Sequence, residues 1–236
     1  MIQIKLIFSK FLLLIKYLKM IFRYQLIHFC LSLISKKGNK NDFFGKKILI
    51  VTAHPDDEVF CIAHVLNEIK CVIKSVSWIN TTLGQNSINQ KCFFSKEEIG
   101  KIRKSEFQMS MNRLGVKSYF HLEVPSYLES EMPKEVMSFV YEEIRSCDLL
   151  FLIDRNDKHP DHYFSTKTFE KLKDKDTIFY YNVQKITTDA KLQYFSFKFD
   201  NEIFDDLIKI YKSQDHMRYS FQAYRRVFNK KIFIYR

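Results

Sequence analysis

The segment His54-Pro55-Asp56-Asp57-Glu58 packs four ionisable side chains into five residues, and "DRNDKHPDH" (154–162) gathers a second set around His159 and His162. Imidazole nitrogens and carboxylate oxygens are the donors that hold zinc in many hydrolases, with one position left for water. An ion held this way lowers the pKa of that water from about 15.7 to about 7, which yields a hydroxide nucleophile at neutral pH. The water still needs a base. Two adjacent aspartates can divide the work, because successive side chains of an extended loop point in opposite directions: one binds metal and the other faces the water. Pro55 removes a backbone donor and stiffens the turn. Either cluster alone has an ordinary explanation, an Asp N-cap or a solvated loop histidine. Together they read as a metal site.

Such groups need rigid carriers. "KKILIVTA" (46–53) and "DLLFLID" (148–154) are short continuous apolar runs, the form of strands buried on both faces of a parallel sheet. Each chemical cluster directly follows one of them, where open α/β sheets bind their ligands. Between them the spacing predicts a helix over 58–70, a strand over 71–80, a helix over 95–115, a strand at "KSYFHLEV" and a helix at "PKEVMSFVYEEIRSC". Ser95 with Glu98 forms a capping-box pattern, and Gly115 is placed to stop that helix. Residues 176–200 read as extended segments and 202–215 as a helix. The alternation predicts an α/β domain with a mostly parallel sheet.

The first forty residues hold eight Lys/Arg and no acid, out of a net charge of +11. "KLIFSKFLLLIKYLKMIFRYQLIHFCLSLIS" is strongly apolar, but its longest charge-free stretch, Tyr24 to Ser35, is short of the roughly 20 residues a spanning helix needs. As a helix it places Lys5, Ser9, Lys16, Lys19 and Arg23 on one stripe, the pattern of a helix lying in a membrane interface. The alternative is an amphipathic helix packed on the protein's own core. The expected organisation is a membrane-associating helix over 1–36, a polar linker over 37–45 and a catalytic domain over 46–236. An anionic membrane surface is the expected partner in preference to nucleic acid. The basic C-terminus, "YRRVFNKKIFIYR", reads either as a second lipid contact or as a final β segment. Five cysteines without a Cys-x-x-Cys pair read as buried free thiols, which favours a reducing compartment and the cytoplasmic face of a membrane.

"AHPDDE" (53–58) with the later "HPDH" (159–162), "RKSE" (103–106), "LGV" (114–116) and "YKSQ" (211–214) resembles the PIG-L/LmbE-like de-N-acetylase family. That family includes N-acetylglucosaminyl-phosphatidylinositol de-N-acetylase and the bacterial LmbE-like amidohydrolases, and the likeness runs over most of residues 46–215. It implies a Rossmann-like three-layer α/β/α fold and hydrolysis of the acetamide of an N-acetylated amino sugar, on a lipid-linked or other glycoconjugate. His54, Asp57 and His162 match the family's metal ligands for Zn2+ or another divalent ion. Asp56 matches its general base, His159 the histidine that stabilises the oxyanion or protonates the amine, and Arg103 a substrate-contacting arginine. Two rivals remain open at this point: a metal-dependent amidase acting on a small thiol-sugar conjugate, and a non-catalytic basic membrane-binding module.

Overall fold

The computed structural model describes residues 2–86, 94–125, 132–183, 189, 191–228 and 231–236. In chain order the elements are α1 (Ile2–Ile34), β1 (Lys36–Lys37), β2 (Lys47–Thr52), α2 (Ile62–Ile69), β3 (Ser75–Asn80), α3 (Lys96–Leu114), β4 (Ser118–His121) and α4 (Lys134–Ser146). They continue with β5 (Leu149–Ile153), α5 (Pro160–Glu170), β6 (Ile178–Tyr181), β7 (Tyr194–Lys198), α6 (Asn201–Ile210), α7 (Arg218–Phe228) and β8 (Lys231–Tyr235). One sheet runs β1-β7-β8-β6-β5-β2-β3-β4, parallel throughout except where β8 lies antiparallel to both β6 and β7.

The two strands that precede the chemical clusters are neighbours, with Ile48 opposite Leu149 and Ile50 opposite Phe151. Burial on both faces explains their composition: Ile48 to Val51 and Leu150 to Ile153 are all buried. The chain moves one way along the sheet from β2 through β3 to β4, then returns to β5 and β6. Right-handed crossovers therefore put α2 and α3 on one face and α4 and α5 on the other, which gives the three layers. The α3 capping box forms with both of its bonds, and Gly115 ends the helix at φ 76°, a conformation open to glycine at little cost.

Several expectations change. The stretch 37–45 does not run as a free polar linker: Lys36 and Lys37 pair with β7, and Phe43 is buried against Phe151, Phe179 and Phe197. One aromatic among polar residues anchors the whole segment. The C-terminal "YRRVF" belongs to α7, and only the residues after it form a strand, β8. The interior of α7 shows why: Phe221, Tyr224, Val227 and Phe228 recur at helical spacing and are all buried. Among the described cysteines, Cys61 and Cys147 are buried but Cys30 and Cys71 are exposed; Cys92 lies outside the described residues. The side chains of Lys5, Ser9 and Lys16 also lie outside them.

Buried His64 on α2 ties the sheet to α6. Its Nε2 donates to Val59 O at 3.1 Å, its Nδ1 accepts from Asp200 N at 3.2 Å, and its ring stacks on Phe199. Both nitrogens are committed in the neutral form, and burial holds the pKa down at about 4. A pKa depressed below the unfolded value of about 6.5 means that the unfolded chain binds the proton more readily. Stability is therefore full above that value and falls with pH, by about 2 kcal/mol between pH 7 and 5 from this residue. Urea midpoints across that window test this against His64→Gln, in which the slope should be flatter; equal slopes would assign the loss to other groups.

Candidate active site

The loop after β2 and the loop before α5 meet. Donor atoms of residues 54 and 162 stand 3.2 Å apart, His54 Nδ1 to His162 Nε2. Asp57 completes the triangle, with Oδ1 3.3 Å from His162 Nε2 and Oδ2 3.8 Å from His54 Nδ1. Donors on a tetrahedral ion at about 2.1 Å are about 3.4 Å from one another, close to the 3.2 Å between the two nitrogens and the 3.3 Å from Asp57 Oδ1 to His162 Nε2.

The outer nitrogens of both rings face carboxylates. His54 Nε2 lies 2.9 Å from Asp161 Oδ2, and His162 Nδ1 lies 3.2 Å from Asp157 Oδ2. Asp161 takes the His54 ring N–H on the outside, which turns an unprotonated nitrogen inward and raises its basicity, while Asp157 stands beside His162 Nδ1 as an ion-pair partner. Two imidazole nitrogens and the Asp57 carboxylate then face one another in a buried space, joined by shared protons at 3.2 and 3.3 Å whose place a cation can take. The residues fit a divalent metal. The field has the sign this requires: burial acts to lower the His162 pKa, yet Asp57 and Asp157 push it up to about 10. Burial also works against ionised Asp57, but His162 and His54 hold its carboxyl well below the usual range. Asp57 Oδ2 in addition accepts from the backbone N–H groups of Ala53 (3.0 Å) and His54 (2.7 Å), which locks the carboxylate to the end of β2.

His159 caps α5, its Nδ1 accepting from Asp161 N at 3.3 Å. That bond puts its proton on Nε2. Donor atoms of His54, His159 and His162 all lie within 4.8 Å of one another, a spacing at which the three histidines could share an ion. Its pKa is lowered to about 4, by burial first and then by His54 and His162, so the ring is neutral.

Asp56 adopts φ 104°, ψ −17°, a left-handed conformation that costs a non-glycine residue about 1–3 kcal/mol. Three hydrogen bonds hold it there. Its N–H donates to Glu58 Oε2 at 3.1 Å, and Arg103 Nη2 donates to its Oδ1 at 3.2 Å and also to Pro55 O. Burial raises the Asp56 carboxyl to about 6 against the pull of Arg103. Arg103 is itself buried and bonds Gly84 O as well, so its guanidinium serves the loop and the aspartate. Arg103, expected as a substrate contact, is held against Asp56 in this structure. Gly84 permits the approach, since a Cβ at its φ of +60° would come within 2.9 Å of Arg103 Cζ.

Sequence reasoning assigned Glu58 to the start of a helix and passed over Asp157 and Asp161. Glu58 is fully buried: Oε1 accepts from Ser110 Oγ at 2.5 Å and from Tyr211 OH, and burial pushes its pKa up to about 7. The weak "RKSE" and "YKSQ" motifs carried the signal, because they close on each other beneath the site. Ser213 donates to both oxygens of Glu106, from N at 2.9 Å and Oγ at 2.5 Å, while Tyr211 reaches Glu58. Glu58→Ala leaves the Ser110 hydroxyl, the Tyr211 hydroxyl and the Asp56 N–H without their acceptor. It is expected to cost about 3–5 kcal/mol in urea unfolding, with Glu58→Gln losing less.

Comparison with known proteins follows the same residues. The family model described as GlcNAc-PI de-N-acetylase (PIG-L) matches residues 49–172. A curated relative from Bacillus anthracis, "Probable N-acetyl-alpha-D-glucosaminyl L-malate deacetylase 2", is 28% identical over 126 residues, 50% of this chain and 54% of that protein. The chain therefore spans about half the length of the curated relative it matches. Among solved structures, N,N'-diacetylchitobiose deacetylase from Pyrococcus horikoshii superposes with a TM-score of 0.52 at 18% identity, over 78% of this chain and 71% of that one. GalB, the 4-carboxy-2-hydroxymuconate hydratase from Pseudomonas putida, does so with a TM-score of 0.56 at 14% identity, over 77% and 84%. One fold thus carries a deacetylase and a hydratase, and the choice between such chemistries rests on the site.

Proposed function

This chain belongs to the PIG-L family of GlcNAc-PI de-N-acetylases, and we propose from that premise that it is a metal-dependent de-N-acetylase that hydrolyses the acetamide of an amino sugar. The observation that carries the reading is the meeting of two loops about a hundred residues apart, His54 Nδ1 facing His162 Nε2 at 3.2 Å with Asp57 and Asp56 alongside. His54, Asp57 and His162 would hold the ion, Zn2+ or another divalent metal. When bound, it supplies Lewis acidity that brings a water pKa to about 7 and polarises the acetamide carbonyl.

The chain's own residues do the rest. Asp56 takes the proton of the attacking water on its carboxylate, placed by Arg103 and Glu58. As the carbonyl carbon becomes tetrahedral, His159 donates its Nε2–H to the developing oxyanion, and that bond strengthens as charge builds. The proton held by Asp56 then passes to the departing nitrogen, and one water and one acetamide become acetate and a free amine. His159 and Arg103 both lean on neighbouring loop groups, so the site is set before substrate arrives.

The finer reading is that the amino sugar is N-acetylglucosamine-like and is carried on a lipid or another glycoconjugate at the cytoplasmic face of a membrane. The basic, apolar first forty residues support the lipid version. The name of the Bacillus relative brings a sugar malate into the acceptor set, and that of the Pyrococcus structure a chitobiose. Acetate release from three acceptors, an N-acetylglucosaminyl phosphatidylinositol, an N-acetylglucosaminyl malate and N,N'-diacetylchitobiose, ranks these readings. Acetate is expected from at least one of them with Zn2+ present; none from any would overturn the deacetylase reading in favour of a non-catalytic module.

A further inference from the structure

α1 is docked on one side and bare on the other. Its inner face is closed by Tyr24, which packs edge-on against Tyr224 and Phe228, by His28 between Phe228 and Phe233, and by fully buried Leu31. Tyr224 packs in turn on Phe60, two residues beyond Glu58, so the helix is seated against the catalytic loop's own support. The outer face carries Leu18 (55% exposed), Phe22 (70%), Leu26 (56%), Phe29 (60%) and Leu33 (70%). These recur every third or fourth residue, so they fall within an arc of about 80° and make a straight ridge about 22 Å long.

A soluble helix that has already buried one face has no folding reason to line the opposite face with two phenylalanines and three leucines. What flanks the ridge identifies its occupant. Lys19 and Arg23 stand exposed along one side of it, and Lys36, Lys37 and Lys40 are exposed just past its end. A second copy of the chain set ridge to ridge would bring two such basic borders together, with no acid among residues 1–40 of either to neutralise them. Anionic lipid meets both needs, acyl chains for the ridge and phosphate or carboxylate headgroups for the border. Among the described residues no helix is long and apolar enough to cross a membrane, which fits a helix lying flat.

We propose that the Leu18–Phe22–Leu26–Phe29–Leu33 face of α1 is a docking surface for an anionic bilayer, sunk to the acyl boundary while the opposite face stays on α7. This deepens the membrane-proximal part of the proposed function, and its test reads binding alone, so either idea can fail without the other. Flotation of the full chain with phosphatidylcholine vesicles containing roughly 30 mol % phosphatidylglycerol should recover it in the lipid layer, much less so with phosphatidylcholine alone or in high salt. Phe22→Asp and Phe29→Asp should each cut partitioning by about tenfold or more, since each removes a buried aromatic from the lipid contact. Both positions are exposed, so circular dichroism and the urea unfolding midpoint should not change. Wild-type protein that stays out of the anionic vesicles, or variants that partition as well as wild type, would overturn the proposal. So would a concentration-dependent dimer abolished by the same variants, which would give the ridge to a second copy.

Discussion

Asp56→Asn should lower the rate of acetate release by about 10²- to 10⁴-fold, the usual contribution of a positioned general base. The substitution is nearly isosteric, and the asparagine oxygen still accepts from Arg103, whose Nη2 donates to Asp56 Oδ1 at 3.2 Å. What disappears is a place to put the proton of the attacking water. The loss should fall on kcat with little change in KM, and metal content and the unfolding midpoint should stay near those of the wild type. Arg103→Lys tests the placement separately: a lysine cannot serve Pro55 O, Gly84 O and Asp56 at once, as the arginine does, so it should be slower than wild type although the carboxylate is intact. A variant Asp56→Asn with near-wild-type turnover would move the base elsewhere and overturn the assignment.

The second large effect is expected in metal affinity. Asp157→Asn and Asp161→Asn leave His162 and His54 in place but remove the carboxylates that face their outer nitrogens, at 3.2 and 2.9 Å. Each should weaken metal binding about 10- to 100-fold, and His162→Ala should weaken it further. Metal titrations in a competing chelator read this directly. Thermal unfolding gives a second readout independent of turnover, because a ligand at 100 times its dissociation constant stabilises by about 2.7 kcal/mol. The wild type should therefore gain more from added Zn2+ than either carboxylate variant gains at the same concentration. Equal gains would show that the imidazoles orient themselves without these aspartates.

Much of this was legible in the residues. Ile48 to Val51 and Leu150 to Ile153 are apolar in continuous runs because both faces of their strands are covered, and that pattern fixed the centre of the sheet. The motif residues that follow those strands had only one place to go once the strands were parallel neighbours. Supporting groups were harder to read. Glu58 looks like any acid near a helix start, and only the approach of Ser110 and Tyr211, 52 and 153 residues away in the chain, makes it a buried acceptor. α5 was not anticipated because its side chains carry almost no amphipathic pattern; it is started by the His159 cap and Pro160 and held by contacts with β5 and β2. Phe43 likewise turned an apparent linker into part of the core, a tertiary effect that local composition does not carry.

The position of β8 sets the order in which this domain can be completed. β6 and β7 share no backbone hydrogen bond; β8 lies between them and pairs with both, and Tyr235 on that strand donates to Asp154 at the head of the loop before α5, at 2.9 Å. A chain grows from its N-terminus, so the β1–β7 edge, the seat of α1 on Phe233, and the Asp154 anchor all wait for residues 231–235. The β2–β5 pairing sets the two loops side by side without that strand, but until it is home Asp154 at the head of the second loop lacks the Tyr235 hydroxyl.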